Sequence, residues 1–213
     1  MYALALNEQG VVISRQFYEE LNTQFAVNEI EVDWNTFLKA DSIAPVKYID
    51  GVIVPFEKPS SCYVWVNNEW VVDAGLLAEA RSKRWLLLKQ YRDAIKQKGV
   101  NVNGFWFHTD DGSRIQFLQL ERKAEKVLAN GGTSSTVLTV MTLQGESPIN
   151  NWKTMSGART AMTVDIAQKL PLAVELLDAL CFGVCDYHLL VINNSLDPDN
   201  YNFMTLWPTV YTG

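Results

Sequence analysis

The hydrophobic pattern of the chain changes its period at Asp73, and this change limits the possible folds more than any other feature. Before Asp73, short runs rich in Val, Ile, Tyr and Trp alternate with turn signals, a pattern typical of β-strands. After Asp73, apolar residues recur at helical spacing to about Lys98, and Gly99 stops that pattern. The sequence therefore predicts an α+β fold, with a small β-rich part, a linking helix, and a domain of short hairpins packed with helices.

Residues 1–72 are predicted to form a small, mostly antiparallel β-rich domain. Asp50-Gly51 and Asn67-Asn68 each lie between two β-type runs and predict tight hairpin turns, because Asp, Asn and Gly tolerate a positive φ. The segments Ser14–Glu20 and Trp34–Leu38 are compatible with short helices between the strands. The predicted strands are Tyr2–Leu6, Val11–Ser14, Val46–Tyr48, Val52–Val54 and the paired run Cys62–Val72.

Residues 73–98 are predicted to form a connecting helix with Asp73 as its N-cap. This helix is strongly basic from Arg81 to Lys98. We interpret the charges as a solvated helix face, and a docking face for an acidic partner or for the acidic N-terminal domain is the alternative. The basic residues are Arg81, Lys83, Arg84, Lys89, Arg92, Lys96 and Lys98.

Residues 99–190 are predicted to form a second α+β domain. It begins with a short hairpin around Asn103-Gly104. The last helix is interpreted as an apolar core helix, which Pro171 either bends or restarts. The other predicted elements are a helix at Ser113–Asn130 capped by Asp110-Asp111, a strand at Thr136–Leu143, a turn at Gln144–Pro148, a returning segment at Ile149–Thr154, and a helix from Thr163 or Asp165 to about Leu190.

Composition narrows the function classes. The chain of 213 residues has a net charge of −6, which argues against general nucleic-acid binding because that requires a basic surface. The apolar run Leu170–Val184 is interrupted by Glu175 and Asp178, and it is shorter than the roughly 20 residues that cross a bilayer. The first residues carry no positively charged start of a signal peptide. We therefore expect neither a nucleic-acid nor a membrane partner.

The candidate chemical groups favour structural roles. Cys181, Cys185 and His188 share one helical face, as zinc ligands can, but they lie among apolar residues, and buried Cys usually fills a core. His108 follows the short hairpin and is interpreted as an ordinary surface histidine. The common nucleotide-binding, nucleophile and metalloprotease motifs are missing. We assign no catalytic residue, no metal site and no cofactor, and we interpret the pairs Asp110-Asp111 and Asp197/Asp199 as caps and turns.

Aromatic residues supply the candidate binding sites. Trp65 and Trp70 flank the Asn-Asn turn, where they either form a carbohydrate platform or close the hairpin by cross-strand packing. Residues 191–213 are predicted to form an aromatic docking tail, which lies on this protein or on a partner. The candidate partner-binding residues are Trp65, Trp70, Tyr201, Phe203, Trp207 and Tyr211.

Several segments resemble proteins of tailed phages. Val64–Asp73, which reads VWVNNEWVVD and runs into a helix, resembles the strand–helix junction of tail-fibre assembly proteins. Gly99–Leu120, preceded by Arg92-Asp93, resembles a domain that is common in tail-fibre and tail-associated proteins. Trp152–Thr154 and Met162–Asp165 follow the same pattern. The resemblance covers about residues 75–190, and its motifs carry no catalytic signature.

This resemblance implies a non-enzymatic protein of the phage tail, made in the host cytoplasm and held in the fibre or baseplate by protein–protein contacts. The partners it implies are other tail or tail-fibre proteins, and self-association is a further option. A tail-fibre assembly chaperone is the first alternative. A carbohydrate-binding receptor module that uses Trp65, Trp70 or Trp106 is the second.

Overall fold

A computed structural model describes residues 2–17, 29–33, 35–37, 40 and 45–213 of the chain. The fold is α+β, as the sequence predicts, with antiparallel strands first and long helices afterwards. The chain divides into two compact units whose boundary falls within the helix that starts at Ala74. Unit 1 contains Met1–Ser82 with Leu196–Asn200, and unit 2 contains Lys83–Ser195 with Tyr201–Gly213.

Unit 1 is built from antiparallel pairs. Its three-stranded sheet has the order β2-β1-β3, and two separate hairpins are β4–β5 and β6–β7. Buried Leu4, Val32 and Val46 form the centre of its apolar core. The strands are β1 (Tyr2–Leu6), β2 (Val12–Phe17), β3 (Glu29–Val32), β4 (Val46–Ile49), β5 (Val52–Pro55), β6 (Tyr63–Val66) and β7 (Glu69–Val72).

Both predicted hairpin turns of unit 1 are confirmed. Asp50 and Gly51 join β4 to β5 with φ angles of 48° and 85°. Asn67 and Asn68 join β6 to β7 with φ angles of 49° and 64°. Two successive left-handed residues give the twist that antiparallel strands require, which is why these residue types predict the turns.

The helix interpretation of Ser14–Glu20 is wrong for its described part. Residues 14–17 belong to β2, where they pair with β1 and set the ring of Phe17 5.4 Å from that of Tyr2. Cross-strand pairing with the buried β1 overrides a weak local helix preference. Residues 18–20 lie outside the described part of the chain. So do Trp34 and Leu38 of the second segment, whose residues 35–37 are helical.

Unit 2 combines three helices with short hairpins. Helix α1 (Ala74–Lys96) begins at the predicted cap, since Asp73 accepts a 2.8 Å hydrogen bond from the amide of Leu76. Gly99 follows with a φ of 89°, and a Cβ there would meet the Phe107 carbonyl oxygen at 2.7 Å. The other elements are β8 (Val100–Val102), β9 (Phe105–Phe107), α2 (Asp111–Ala129), β10 (Thr139–Thr142), β11 (Gly145–Pro148), β12 (Trp152–Lys153), β13 (Arg159–Thr160), α3 (Val164–Asn194) and a 3-10 turn at Pro198–Asn200 in unit 1.

Two sequence boundaries in unit 2 are wrong. Gly145–Pro148 forms strand β11 and pairs with β10, so the turn lies at Leu143-Gln144 and not over Gln144–Pro148. Helix α3 continues to Asn194 and passes through Pro171 without restarting. Buried Ile192 explains the extension, because tertiary packing stabilises helix ends that local propensity leaves undetermined.

The core of unit 2 lies between the short hairpins and the buried faces of α2 and α3. Phe107 of β9 meets Phe117 of α2 edge to face, with ring centroids 6.4 Å apart. Leu138, Met162 and Leu170 are fully enclosed beside them. This core fixes α2 against α3 and so determines which of their faces remain at the surface.

Candidate functional site

Trp65 and Trp70 occupy directly opposed positions of the β6–β7 hairpin in unit 1. Their ring centroids are 5.2 Å apart in an edge-to-face arrangement, and the ring of Phe56 lies 5.7 Å from that of Trp65. The indole N–H of Trp70 donates a 3.0 Å hydrogen bond to the Phe56 carbonyl oxygen. Both tryptophans are half-buried. The rings therefore pack across the strands, and a carbohydrate-binding role for them stays a prediction.

The aromatic tail of unit 2 is anchored on α3 by His188. This fully buried side chain contacts the hydroxyl of Tyr201 with Nδ1 at 2.7 Å and the Thr205 carbonyl oxygen with Nε2 at 2.9 Å. Since a carbonyl oxygen only accepts, Nε2 donates to it, and Nδ1 accepts from the tyrosine hydroxyl when the ring is neutral. The ring also stacks against Trp207, with centroids 5.8 Å apart. Burial raises the pKa of the Tyr201 hydroxyl.

Phe203 holds the middle of the tail in the core. Its side chain is 4% exposed and packs with Leu88 and Cys185. The guanidinium of Arg84 lies 4.6 Å from the centre of its ring and donates a hydrogen bond to the Tyr201 carbonyl oxygen. The tail thus covers the C-terminal half of α3 with specific contacts.

The end of the tail also lies on unit 2. The amide of Tyr211 donates a 3.1 Å hydrogen bond to the Lys98 carbonyl oxygen, and its ring lies 6.0 Å from that of Trp106. Val210 beside it is buried. Of the candidate partner-binding residues in the tail, Phe203 is buried and the three others are partly exposed. Their contact with another protein stays a prediction.

The two cysteines of α3 are buried thiols. Cys181 is fully buried, and burial, with a smaller effect of Asp178, raises its pKa to about 11. Burial also raises the pKa of Cys185. Among the residues that the structure describes, no group of three or more His, Cys, Asp or Glu side chains is arranged to hold a metal ion.

The predicted capping role is confirmed for Asp110, while Asp197 accepts a hydrogen bond from Asn200 within its turn and Asp199 makes a contact distant in sequence. Asp110 accepts hydrogen bonds from the amide and hydroxyl of Ser113 at 2.9 and 2.7 Å, and these bonds hold the pKa of its carboxyl group below the usual value. Asp199 accepts a 2.6 Å hydrogen bond from Ser61 within unit 1. His108 is exposed, as interpreted from the sequence.

Arg114 of α2 ties three elements of unit 2 together. Its guanidinium makes a bidentate pair with Asp178 of α3, at 2.9 and 3.1 Å. It also donates to the carbonyl oxygens of Thr109 and Lys96, at 2.7 and 3.1 Å. The ammonium of Lys96 lies 3.3 Å from the same carboxylate. Two cations here share one carboxylate, and the guanidinium is further held by two backbone carbonyl oxygens.

An apolar groove lies between α2 and α3, and sequence reasoning missed it. The groove encloses about 500 Å³. Leu118 and Leu172 stand at its two edges and are 52% and 62% exposed. The groove is lined by Arg114, Phe117, Leu118, Glu121, Pro171, Leu172, Val174, Glu175 and Asp178.

The apolar surface of the groove continues along α3. Leu176 is 60% exposed, and further exposed apolar residues follow at helical spacing. We call this surface the leucine strip: Leu172, Leu176, Leu180, Gly183, Tyr187 and Leu190. A helix that is apolar on more than one face carries more apolar surface than one core covers. The sequence of α3 already indicates such a second apolar face. The interpretation of α3 as a core helix assigned all of its apolar residues to the core instead.

The β10–β11 hairpin presents a second exposed apolar surface. Met141 and the turn residue Leu143 are strongly exposed, and Val140, next to Met141 in the strand, is exposed on the opposite face of the hairpin. Only the base of the hairpin is fixed to the core, through hydrogen bonds from Leu138 to Met162 and from Ile149 to Leu138. Exposed large aliphatic residues at a hairpin tip are typical of a contact with another chain.

No helix in the described part of the chain combines the length and apolarity that crossing a membrane requires. Comparison with protein-family models gave no match. Comparison with curated proteins and with solved structures likewise gave no significant match.

Proposed function

We propose that this protein is a non-enzymatic component of a phage tail, associated with the fibre or baseplate and acting by protein–protein contacts. The observation that carries the proposal is the leucine strip together with the exposed hairpin tip at Met141 and Leu143. A row of exposed apolar side chains along one helix face marks a contact site with another molecule more often than isolated exposed residues do. The resemblance of residues 75–190 to tail-associated proteins of phages supplies the biological setting.

The rigid support beneath the leucine strip also favours an adaptor. Arg114 and Asp178 fix α2 to α3, and the Phe107–Phe117 contact fixes the β8–β9 hairpin to α2. A surface held on packed helices keeps its shape on binding, so little ordering entropy opposes association. Such a surface fits a component that joins other tail proteins.

Mass spectrometry of purified phage particles tests this proposal. We expect the protein in mature particles at a fixed ratio to the other tail proteins. Its absence from particles whose fibres assemble only when the gene is present would identify an assembly chaperone instead. Its absence without any effect on fibre assembly would exclude both roles.

The carbohydrate-binding alternative has a separate test. Trp65 and Trp70 make their closest described contacts with each other and with Phe56. On a glycan array we expect no signal above background. A signal that disappears in Trp65→Ala, while the protein stays folded by circular dichroism, would instead favour a receptor module.

A further inference from the structure

The apolar surface that begins at the groove between α2 and α3 is long. The leucine strip extends it from Leu172 to Leu190, which at the rise of an α-helix is about 27 Å. A drug-sized ligand is mostly enclosed by its pocket, whereas this groove is open along one side. Another helix of about five turns matches both its length and its apolar character.

The charges at the groove are mainly acidic, whereas Arg92 and Lys96 lie over the ring of Phe182 further along α3. Glu121 and Glu175 stand at the groove, and Asp186 lies beside the strip between Gly183 and Tyr187. None of these three carboxylates forms an ion pair with a described residue. Asp178 differs from them because it is paired with two cations, Arg114 and Lys96. These three side chains together with Glu121 and Glu175 therefore carry a net charge of about −1 at the groove. An occupant that brings Lys or Arg side chains would therefore meet uncompensated negative charge on this face.

A second copy of the chain is the simplest alternative occupant. The strip is self-complementary in spacing, since an antiparallel copy that sets Leu172 opposite Leu190 also sets Leu180 beside Gly183. The same arrangement, however, places Glu175 of each copy close to Asp186 of the other. Like charges facing each other across an interface oppose association. The charge pattern thus favours a cationic partner over a second copy.

We propose that the α2–α3 groove and the leucine strip bind one amphipathic helix of another protein. The apolar side chains of that helix, spaced three and four residues apart, fill the groove between Leu118 and Leu172. Its Lys or Arg side chains reach Glu121 and Glu175 at the groove edge. The inference rests on the proposed function, because it supplies the partner chemistry for an adaptor.

A pair of designed peptides tests the inference with the full-length protein. Both are fluorescein-labelled 18-residue helices with identical leucine positions, one with lysine and the other with glutamate at the flanking positions. By fluorescence anisotropy we expect the lysine peptide to bind at least tenfold more tightly than the glutamate peptide. Equal binding of both peptides, or no binding of either, would overturn the proposal.

Matched variants locate the binding surface. Leu172→Ser and Leu176→Ser should each weaken binding of the lysine peptide about tenfold, and Glu121→Gln with Glu175→Gln should weaken it and reduce its salt dependence. Leu86→Ser, at an exposed leucine of α1, and Glu69→Gln, at an exposed acid of β7, are the controls and should leave binding unchanged. Thermal melts establish that each variant is folded. Unchanged binding in the groove variants would place the peptide elsewhere.

Other outcomes separate this inference from the proposed function. A wild-type dimer by light scattering that Leu176→Ser converts to monomer, without peptide binding, would make a second copy the occupant. A protein present in particles that binds neither peptide would overturn the groove assignment alone. If the protein binds the lysine peptide but is absent from particles, the groove is a helix-binding site and the proposed role as a tail component is wrong.

Discussion

Helix α3 carries two apolar faces, and they differ in what covers them. One face, which includes Leu177, Cys181 and Cys185, is buried under the core and the aromatic tail of unit 2. The other face exposes Leu172 and Leu176 to about 60% of their side-chain area. Both faces are made of similar aliphatic residues. Apolar content alone therefore does not tell which surface a protein covers by itself.

The polar groups explain the difference. On the covered side, His188 bonds to Tyr201 and to the Thr205 backbone, and the indole N–H of Trp207 donates a 2.7 Å hydrogen bond to the Phe203 carbonyl oxygen. These bonds fix one position for the tail, because a buried polar group left unpaired is costly. The leucine strip offers apolar contact along its length and acidic groups at its edges, which suits a separate chain. Substitutions on the covered side should therefore lower the free energy of unfolding. Substitutions on the leucine strip should weaken binding of another chain and leave the free energy of unfolding almost unchanged.

The largest expected effect comes from the covered side. Phe203→Ala removes a ring that is 4% exposed and leaves a cavity beside Leu88 and Cys185. We expect a loss of about 3–5 kcal/mol in the free energy of unfolding. Urea denaturation followed by tryptophan fluorescence measures it. A loss below about 1 kcal/mol would mean that the tail is not part of the core.

A smaller loss should follow from His188→Leu. The substitution keeps a buried apolar group but leaves the Tyr201 hydroxyl and the Thr205 carbonyl oxygen without their partner. Each unpaired buried group costs about 1–3 kcal/mol, and because Tyr201 is only half-buried and Thr205 is exposed we expect the low end for both, a total loss of about 2 kcal/mol in the same urea assay. The double variant with Tyr201→Phe should recover part of that loss. Absence of coupling between the two substitutions would argue against the hydrogen bond.

Thiol labelling compares the two faces on one helix. Cys185 is buried under the tail with a raised pKa, whereas a cysteine introduced by Leu176→Cys lies on the exposed face. At pH 8 we expect Cys185 in the folded protein to react with a disulfide reagent at least tenfold more slowly than in urea, a difference of about 1.4 kcal/mol. The introduced thiol should react as fast in the folded state as in urea. Similar reaction rates of the two thiols in the folded protein would show that the two faces of α3 are equally accessible to the reagent.

The same raised pKa values predict an alkaline limit to stability. A thiol whose folded-state pKa lies above its unfolded value favours folding below the unfolded value, about 8.5, and loses that contribution as the pH rises towards the folded value. For Cys181 that window extends to about 11. We expect the free energy of unfolding to decrease as the pH rises from about 8.5 to about 11. In Cys181→Ala this decrease should be smaller.

The exposed face should give the smallest effects on stability. Nothing lies within 4 Å of a Cβ placed on Gly183, so Gly183→Ala should stabilise α3 by about 0.5–1 kcal/mol. Leu176→Ser should change the free energy of unfolding by no more than about 0.5 kcal/mol. Thermal melts measure both. A loss above about 1 kcal/mol for Leu176→Ser would show that the strip supports the fold itself.

Much of the fold could be predicted from local chemistry. The hairpin turns at Asp50-Gly51, Asn67-Asn68 and Asn103-Gly104 require positive φ angles, which these residue types tolerate. Asp73 and Asp110 cap helices by accepting hydrogen bonds from amides three residues further along the chain. Features that depend on distant contacts were missed. Residues 14–17 form a strand because β1 lies beside them, and β11 ends at Pro148 because Thr139 pairs there.

The candidate site was harder to predict for a related reason. The aromatic residues predict that the tail lies on a protein surface, whereas the sequence relates His188 only to Cys181 and Cys185 on the same helical face. Its partners at Tyr201 and Thr205 follow the helix by 13 and 17 residues, so no helical spacing connects them. The groove depends on which face of α3 the core leaves open. The packing of α2 against α3 determines which face of α3 stays exposed, and this packing cannot be read from local sequence.

The hydrogen bonds at the end of α1 have a consequence for the order of folding. The Lys96 carbonyl oxygen accepts from the Thr109 hydroxyl at 2.7 Å and from Arg114 at 3.1 Å, and the Gly99 amide donates to the same hydroxyl at 2.9 Å. The last turn of α1 therefore lacks its stabilising partners until β9 and the start of α2 have arrived. A nascent chain emerging from the ribosome can complete this helix only after about twenty further residues have been synthesised, at roughly 5–20 residues per second.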